Sequence, residues 1–219
     1  REMAAEIEAK HNVKIRLGGV IFLNNAFLES SMLDMATLVP AMYLVILIVA
    51  YLLLRSIMAT VLVLFVVVPS IMVAMGAGGW MGIGLTPPSA SAPTIITTLA
   101  VADSIHLLVS MFNRMRAGHS QRDSLLYSIQ VNGKPIFITS LTTALGFLSM
   151  NFSDSPPFHD LGNMTAIGVM AAWIYSIVLL PVLISFVPLK SKATLGKLDD
   201  KMGKLGVFVA SRYKSVLAV

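Results

Sequence analysis

LVPAMYLVILIVAYLLLRSIMATVLVLFVVVPSIMVAMGAGGW, Leu38 to Trp80, is two apolar runs divided only by Arg55 and Ser56. Each run is long enough to cross about 30 Å of hydrocarbon as a helix, which takes about 20 residues. A two-residue joint leaves the chain no room to travel, so the runs form an antiparallel hairpin of spans, 38–54 and 57–80. Outward from this hairpin, three further runs meet the same criterion, at about 94–112, 135–152 and 164–187. The expected fold class is an all-α membrane protein, a polytopic bundle of five transmembrane helices. Composition agrees. The chain is 56% hydrophobic and 12% charged, against about a quarter charged in soluble domains, and the apolar residues come in blocks rather than as the scattered pattern of an oversized core.

The net charge of +5 and a pI near 9.6 raise the question of nucleic acid. The placement of the basic residues answers it. Loops 82–93 and 153–163 contain no Lys or Arg, whereas Arg55, Arg114, Arg116, Arg122 and Lys134 all fall on the opposite side of the predicted spans. Lys190, Lys192, Lys197, Lys201 and Lys204 follow the fifth span on that same side. Basic residues mark the cytoplasmic side, so the charge is a topology signal, and nucleic acid is not an expected partner. Loops 113–134 and 188–205 are expected in the cytoplasm, and the N-terminal segment on the far side.

Residues 1–33 read as the tail of an extracytoplasmic domain. EMAAEIEAKH suggests a helix, and VKIRLGGV (Val13 to Val20) a strand closed by a Gly-Gly turn. A helix is then expected from Asn24 or Asn25 into the first span. This small α+β remnant cannot bury a core by itself. Both termini, Arg1 and the apolar SVLAV, suggest a fragment of a longer polypeptide.

Two surface helices are expected on the basic side. SQRDSLLYSIQVNG (120–133) has Ser120 as N-cap and Asp123 at the third helical position, with Gly133 ending it and Pro135 opening the fourth span. Over 190–205, Leu195, Leu198, Met202 and Leu205 recur at helical spacing against lysines, a helix lying on the inner leaflet. Residues 206–219 begin a further crossing.

Asp103 is the only acid inside the five predicted spans, close to the midpoint of the third. A charge at that depth costs about 2.5–3.5 kcal/mol on insertion scales. Low-dielectric surroundings oppose carboxylate ionisation, so a carboxyl there can exchange between charged and neutral forms, as a proton carrier must. The competing reading is a neutral Asp that hydrogen-bonds a neighbouring helix as structural glue. His106 lies one turn on and shares the face; it either tunes the acid or packs. Ser104 points about 100° away and offers a polar lining. In the fourth span, TSLTT supplies Thr139, Ser140, Thr142 and Thr143, with Thr139 and Thr143 on one face and Thr142 beside them. Their hydroxyls either bond their own backbone or orient the Asp103 carboxyl, and Gly146 would permit close helix approach. No cysteine is present, and hydrolase, zinc-protease and nucleotide-loop motifs are lacking. No enzyme activity, cofactor or metal is expected.

GKPIFITSLTTALGFLSM (Gly133 to Met150), VADSIHLL (Val101 to Leu108) and SPPFHDLGNMTAIGVMAA (Ser155 to Ala172) resemble, in order and spacing, signatures of the resistance-nodulation-division superfamily. The likeness is to its hydrophobe exporters, MMPL-like and hopanoid-exporter-like, and covers about Met35 to Leu189. It implies that residues 34–189 are spans two to six of a two-half transporter, that residues 1–33 end a periplasmic porter-type domain, and that the remaining half of the polypeptide completes the relay. It places the proton-relay acid on Asp103. The implied function is proton-driven export (antiport) of a hydrophobic or lipid-like substrate at the bacterial inner membrane. Membrane lipids, protons, and either a homo-oligomer or a periplasmic partner are the implied associates. The five-span block also resembles sterol-sensing domains, which keeps a lipid-sensing module without pumping as the alternative.

Overall fold

The computed structural model describes residues 19–189 together with Phe208 and Ser211. The strand expected over 13–20 and the helix before it lie outside the described residues, except that Val20 opens a helix. The amphipathic helix expected over 190–205 and the crossing expected over 206–219 also lie outside them, apart from Phe208 and Ser211, which are helical. Every regular element among the described residues is helical: α1 (Val20–Ala36), α2 (Leu38–Leu54), α3 (Ile57–Trp80), α4 (Ala92–Arg116), α5 (Gln121–Leu148), α6 (Pro156–Ile174) and α7 (Leu180–Phe186). Among the described residues five stretches of helix are long and apolar enough to cross a membrane, so the chain is an all-α polytopic membrane bundle.

The hairpin forms where expected. Arg55 takes a left-handed conformation (φ 50°, ψ 30°), and Ser56 caps α3 by accepting a bond from the Ala59 N–H. Upstream, the helix starts at Val20, earlier than Asn24, and breaks at Thr37 (φ −120°, ψ −58°) before α2. Pro40 explains the break: it has no N–H for the Ala36 carbonyl, and its ring crowds that position.

The larger difference is in α5. Ser120 caps it as expected, accepting from the Asp123 N–H, but the helix runs through Gly133 and Pro135 to Leu148. The surface helix expected over 120–133 and the fourth span are therefore one element, and the expected 113–134 loop shrinks to residues 117–120, where Gly118 supplies φ 92°. A mid-helix proline costs about 3 kcal/mol. Leu125, Ser128, Ile136, Ser140 and Ala144 all lie buried along one continuous face of α5, and breaking the helix would separate them from their shared contact surface. Likewise α6 begins at Pro156 rather than near Met164. Proline at a helix start presets φ, so polar residues of 153–163 mark the end of the apolar zone without ending the helix.

The core sits where α3, α4 and α6 meet. Val63, Val66, Val67, Leu107, Leu108, Met111, Ala172 and Leu180 form its larger part, and Ala74, Ala92, Ile96, Leu161 and Met164 a second cluster. α5 packs on α4 and α6 from the outside, and α2 on α4. Two glycines of α6 permit close approach. A Cβ at Gly168 would collide with Ile96 and lie 2.9 Å from Ala74 Cβ; one at Gly162 would strike the Phe147 carbonyl oxygen. Gly146, expected to serve this purpose, has nothing within 4 Å of such a Cβ. Beyond α6 the chain winds as a π-helix over Tyr175–Leu179 and continues into α7. Gln121 closes the far end: its amide Nε2 donates to the Ile184 and Val187 carbonyls (2.8 and 2.9 Å), and its Oε1 accepts from the Leu189 N–H (2.9 Å).

Candidate functional site

α4 and α5 run antiparallel, joined by residues 117–120. Two side-chain bonds stitch them together. Ser128 Oγ donates to the Leu107 carbonyl at 2.6 Å, and one level deeper Ser140 Oγ donates to Asp103 Oδ2 at 3.3 Å. Asp103 and Ser140 are both buried, 9% and 4% exposed. Among the described residues no Lys or Arg bonds the carboxyl, and its side-chain partner is a neutral hydroxyl. A serine hydroxyl donates to a carboxylate or accepts from a carboxylic acid by rotating its proton. The pair therefore accommodates both charge states of Asp103 without moving a heavy atom.

The other expected site residues separate into distinct places. Ser104 is buried and donates to the Ala100 carbonyl at 2.7 Å, within its own helix. His106 is exposed on the outer side of α4 and makes no hydrogen bond among the described residues. Thr139 donates to the carbonyls of Pro135 and Ile136, and Thr142 to those of Ile138 and Thr139. Both are exposed. Thr143 is half-buried and bonds no group of Asp103. Within TSLTT, then, the hydroxyl that reaches the acid belongs to Ser140 rather than to Thr139, Thr142 or Thr143. Its signal was its membership of the cluster; the register of α5 against α4 was needed to select it.

The span containing α5 is the least apolar of the five and among the least buried. The outer faces of α4 and α5 accordingly carry Ala102, His106, Asn113, Thr139 and Thr142 in exposed positions. On the opposite flank, Tyr43 of α2 hydrogen-bonds Thr97 of α4 at 3.0 Å. Near it an open apolar cavity of about 690 Å³ lies between α2 and α3, lined by Pro40, Tyr43, Leu47, Tyr51, Ile57 and Val61 among others. Among the described residues no cluster of three or more His, Cys, Asp or Glu side chains is arranged to hold a metal ion.

A bundle of membrane-crossing helices with one acid buried between two of them defines a polytopic membrane protein. The chain matches the MMPL family over residues 1–204 and belongs to it. Members of that family are transporters rather than enzymes. The chain is similar to a protein of Methanocaldococcus jannaschii named only as a membrane protein, MJ1562, with 26% identity over 139 residues, 64% of this chain and 36% of that protein. It is also similar to protein dispatched homolog 3 of Homo sapiens (27% over 79 residues) and of Gallus gallus (28% over 79 residues), in each case 36% of this chain and 6% of the relative. The chain thus spans about a third of the archaeal relative and a small part of the vertebrate ones.

Proposed function

We propose that this chain is the membrane half-domain of a proton-driven exporter of hydrophobic or lipid-like molecules in a bacterial inner membrane. In this reading the Arg114 end of α4 faces the cytoplasm and residues 1–33 end a periplasmic domain. The observation that carries it is the Asp103–Ser140 pair. A carboxyl buried at the depth where charge is most costly is held by a partner that suits either protonation state, and no fixed cation among the described residues commits it to one. Protonation and release at Asp103 would alter the α4–α5 contact, and that change would be passed to the periplasmic domain. The remaining half of the polypeptide would supply the other members of the relay. His106 lies too far to the outside to share the Ser140 contact and serves as a neighbour that modulates proton traffic.

The test is the full-length protein in proteoliposomes under an imposed pH gradient, following efflux of a fluorescent hydrophobic probe. Asp103→Asn is expected to abolish gradient-dependent efflux while leaving the protein folded and monodisperse. Efflux equal to wild type would remove the proton site. A second reading, a lipid-binding or sterol-sensing module without pumping, is favoured by the apolar cavity between α2 and α3. It predicts lipid binding that Asp103→Asn leaves intact, with no gradient-dependent efflux in any variant.

A further inference from the structure

Three of the helical stretches packed around α4 are interrupted, and the interruptions meet. Pro69 lies inside α3 and Pro135 inside α5. Neither has an amide hydrogen for the carbonyl four residues back, on Phe65 and Val131, and each ring crowds that carbonyl. Between α6 and α7 the chain loosens over Tyr175–Leu179. There the Leu180 N–H reaches five residues back to the Tyr175 carbonyl, and Pro181 has no N–H to give. Counted from the ends on the Arg55 side, Pro69 is twelve residues from Ile57, Pro135 fourteen from Gln121 and Tyr175 eleven from Phe186. At 1.5 Å a residue these are about 18, 21 and 16 Å, so the three interruptions share one level of the bundle.

The π-helix links the other two. Leu179 and Pro69 share the wall of a cavity of about 420 Å³ with Leu64, Phe65 and Val68. A Cβ at Gly133, two residues before Pro135, would lie 3.9 Å from Ile177 Cδ1. Ser176 is fully buried and its hydroxyl has no partner among the described residues, whereas Ser70 and Ser104 each donate at 2.7 Å to the carbonyl four residues back. Membrane helices tolerate isolated prolines, and a single kink would need no function. Three neighbouring interruptions at one level form a layer. α4 is the exception: Pro93 lies in its first turn, and the helix runs unbroken from Ala92 to Arg116. The tightest glycine approaches fall beyond the layer, away from Arg55: Gly168 against Ile96 and Ala74, Gly162 against Phe147, and Gly78, whose Cβ would lie 3.1 Å from Met164. On the Arg55 side, α7 is tied to α5 by Gln121. There it also shares a buried cluster with α3 through Leu62, Val63, Leu180 and Ile184.

We propose that Pro69, Pro135 and the turn from Tyr175 to Pro181 form one hinge layer. About it the Arg55-side parts of α3 and α5, together with α7, tilt as a unit against α4 and the locked block. The bending falls where backbone hydrogen bonds are already missing or lengthened to five residues, so it sacrifices little. The two bonds between α4 and α5 lie on opposite sides of the layer, since Ser128 precedes Pro135 and Ser140 follows it. A tilt therefore loads the Ser128–Leu107 bond and leaves Asp103–Ser140 in the block that stays. The hinge goes beyond the proton site and does not depend on it.

The test uses the full-length protein in nanodiscs, with any other cysteines replaced and nitroxide labels on pairs of introduced thiols. Trp80→Cys with Phe186→Cys spans the layer, and Trp80→Cys with Phe152→Cys lies wholly beyond it; all three positions are exposed. Double electron–electron resonance is expected to give a broader distance distribution for the spanning pair. Pro69→Ala supplies the N–H that α3 lacks and is expected to narrow that distribution to about half its width, although the label it acts on sits in α7. Pro181→Ala is expected to do the same, and Pro135→Ala takes its place should that variant fail to fold. A spanning distribution as narrow as the other pair's would overturn the hinge. So would a breadth that none of the proline substitutions changes. Narrowing by Pro181→Ala without narrowing by Pro69→Ala would overturn the movement as a unit. The two readings fail separately, because wild-type efflux in Asp103→Asn removes the proton site and leaves these distances as they are.

Discussion

Ser140 donates its hydroxyl to the Asp103 carboxyl across 3.3 Å, from a residue 37 positions further along the chain. The bond joins the one acid at mid-depth to the helix that is least apolar among the five spans. Ser140→Ala would leave Asp103 buried without its hydroxyl partner, a loss of about 1–3 kcal/mol for an unsatisfied group. Gradient-dependent efflux is expected to fall well below wild type but to remain above Asp103→Asn, and Ser140→Thr is expected to recover most of it. In an Asp103→Asn background, Ser140→Ala should change efflux no further, which a double-mutant cycle would read directly.

His106 tests whether exposure beside the acid has a consequence. His106→Gln keeps a polar side chain and removes the capacity to carry a proton. The expected result is a shifted pH profile of efflux with unchanged folding. An identical profile would leave His106 with no part in proton traffic.

The glycines of α6 separate packing from function. Gly168→Ala places a methyl against Ile96 and Ala74, an overpacking that costs about 1–3 kcal/mol. The expected readout is a lower thermal midpoint in detergent, partly restored by Ile96→Val, which relieves the nearest side-chain atoms. Gly162→Ala meets a backbone carbonyl, Phe147 O, which cannot rotate away, so its cost should exceed that of Gly168→Ala. Gly146→Ala, with open space around it, is expected to leave the midpoint unchanged or raise it, since alanine is the better helix former by about 1 kcal/mol.

Gln121 holds the end of the last span with three hydrogen bonds. Gln121→Leu removes all of them while retaining bulk. At about 0.5–1.5 kcal/mol net per bond, the region around Ile184 and Val187 should open more readily. Faster amide exchange at Val187 and Leu189, with the exchange of α3 unaltered, would show it.

Residue types and their spacing are enough for part of this molecule. The Arg55–Ser56 joint between two apolar runs determined the hairpin, because hydrocarbon admits only backbone that satisfies its own hydrogen bonds. The isolation of Asp103 nominated it as the candidate site, because charge in hydrocarbon is costly enough to require a reason. The Ser120 cap also followed from residue types alone, since capping is local chemistry within one turn. The outward position of His106 and the choice of Ser140 over Thr139, Thr142 and Thr143 depended on the rotation of α4 and α5 about their axes. That rotation is set by which side chains fill the contact between helices, a sum over residues distant in the chain. The same packing carried α5 through Gly133 and Pro135, where local propensity alone favoured an end, and moved the close approach from Gly146 to Gly162 and Gly168. Sequence by itself determined the crossings and the buried acid, through the energetics of transfer into lipid. Only the tertiary structure decided which hydroxyl meets that acid, because register and facing are properties of packed surfaces rather than of residues.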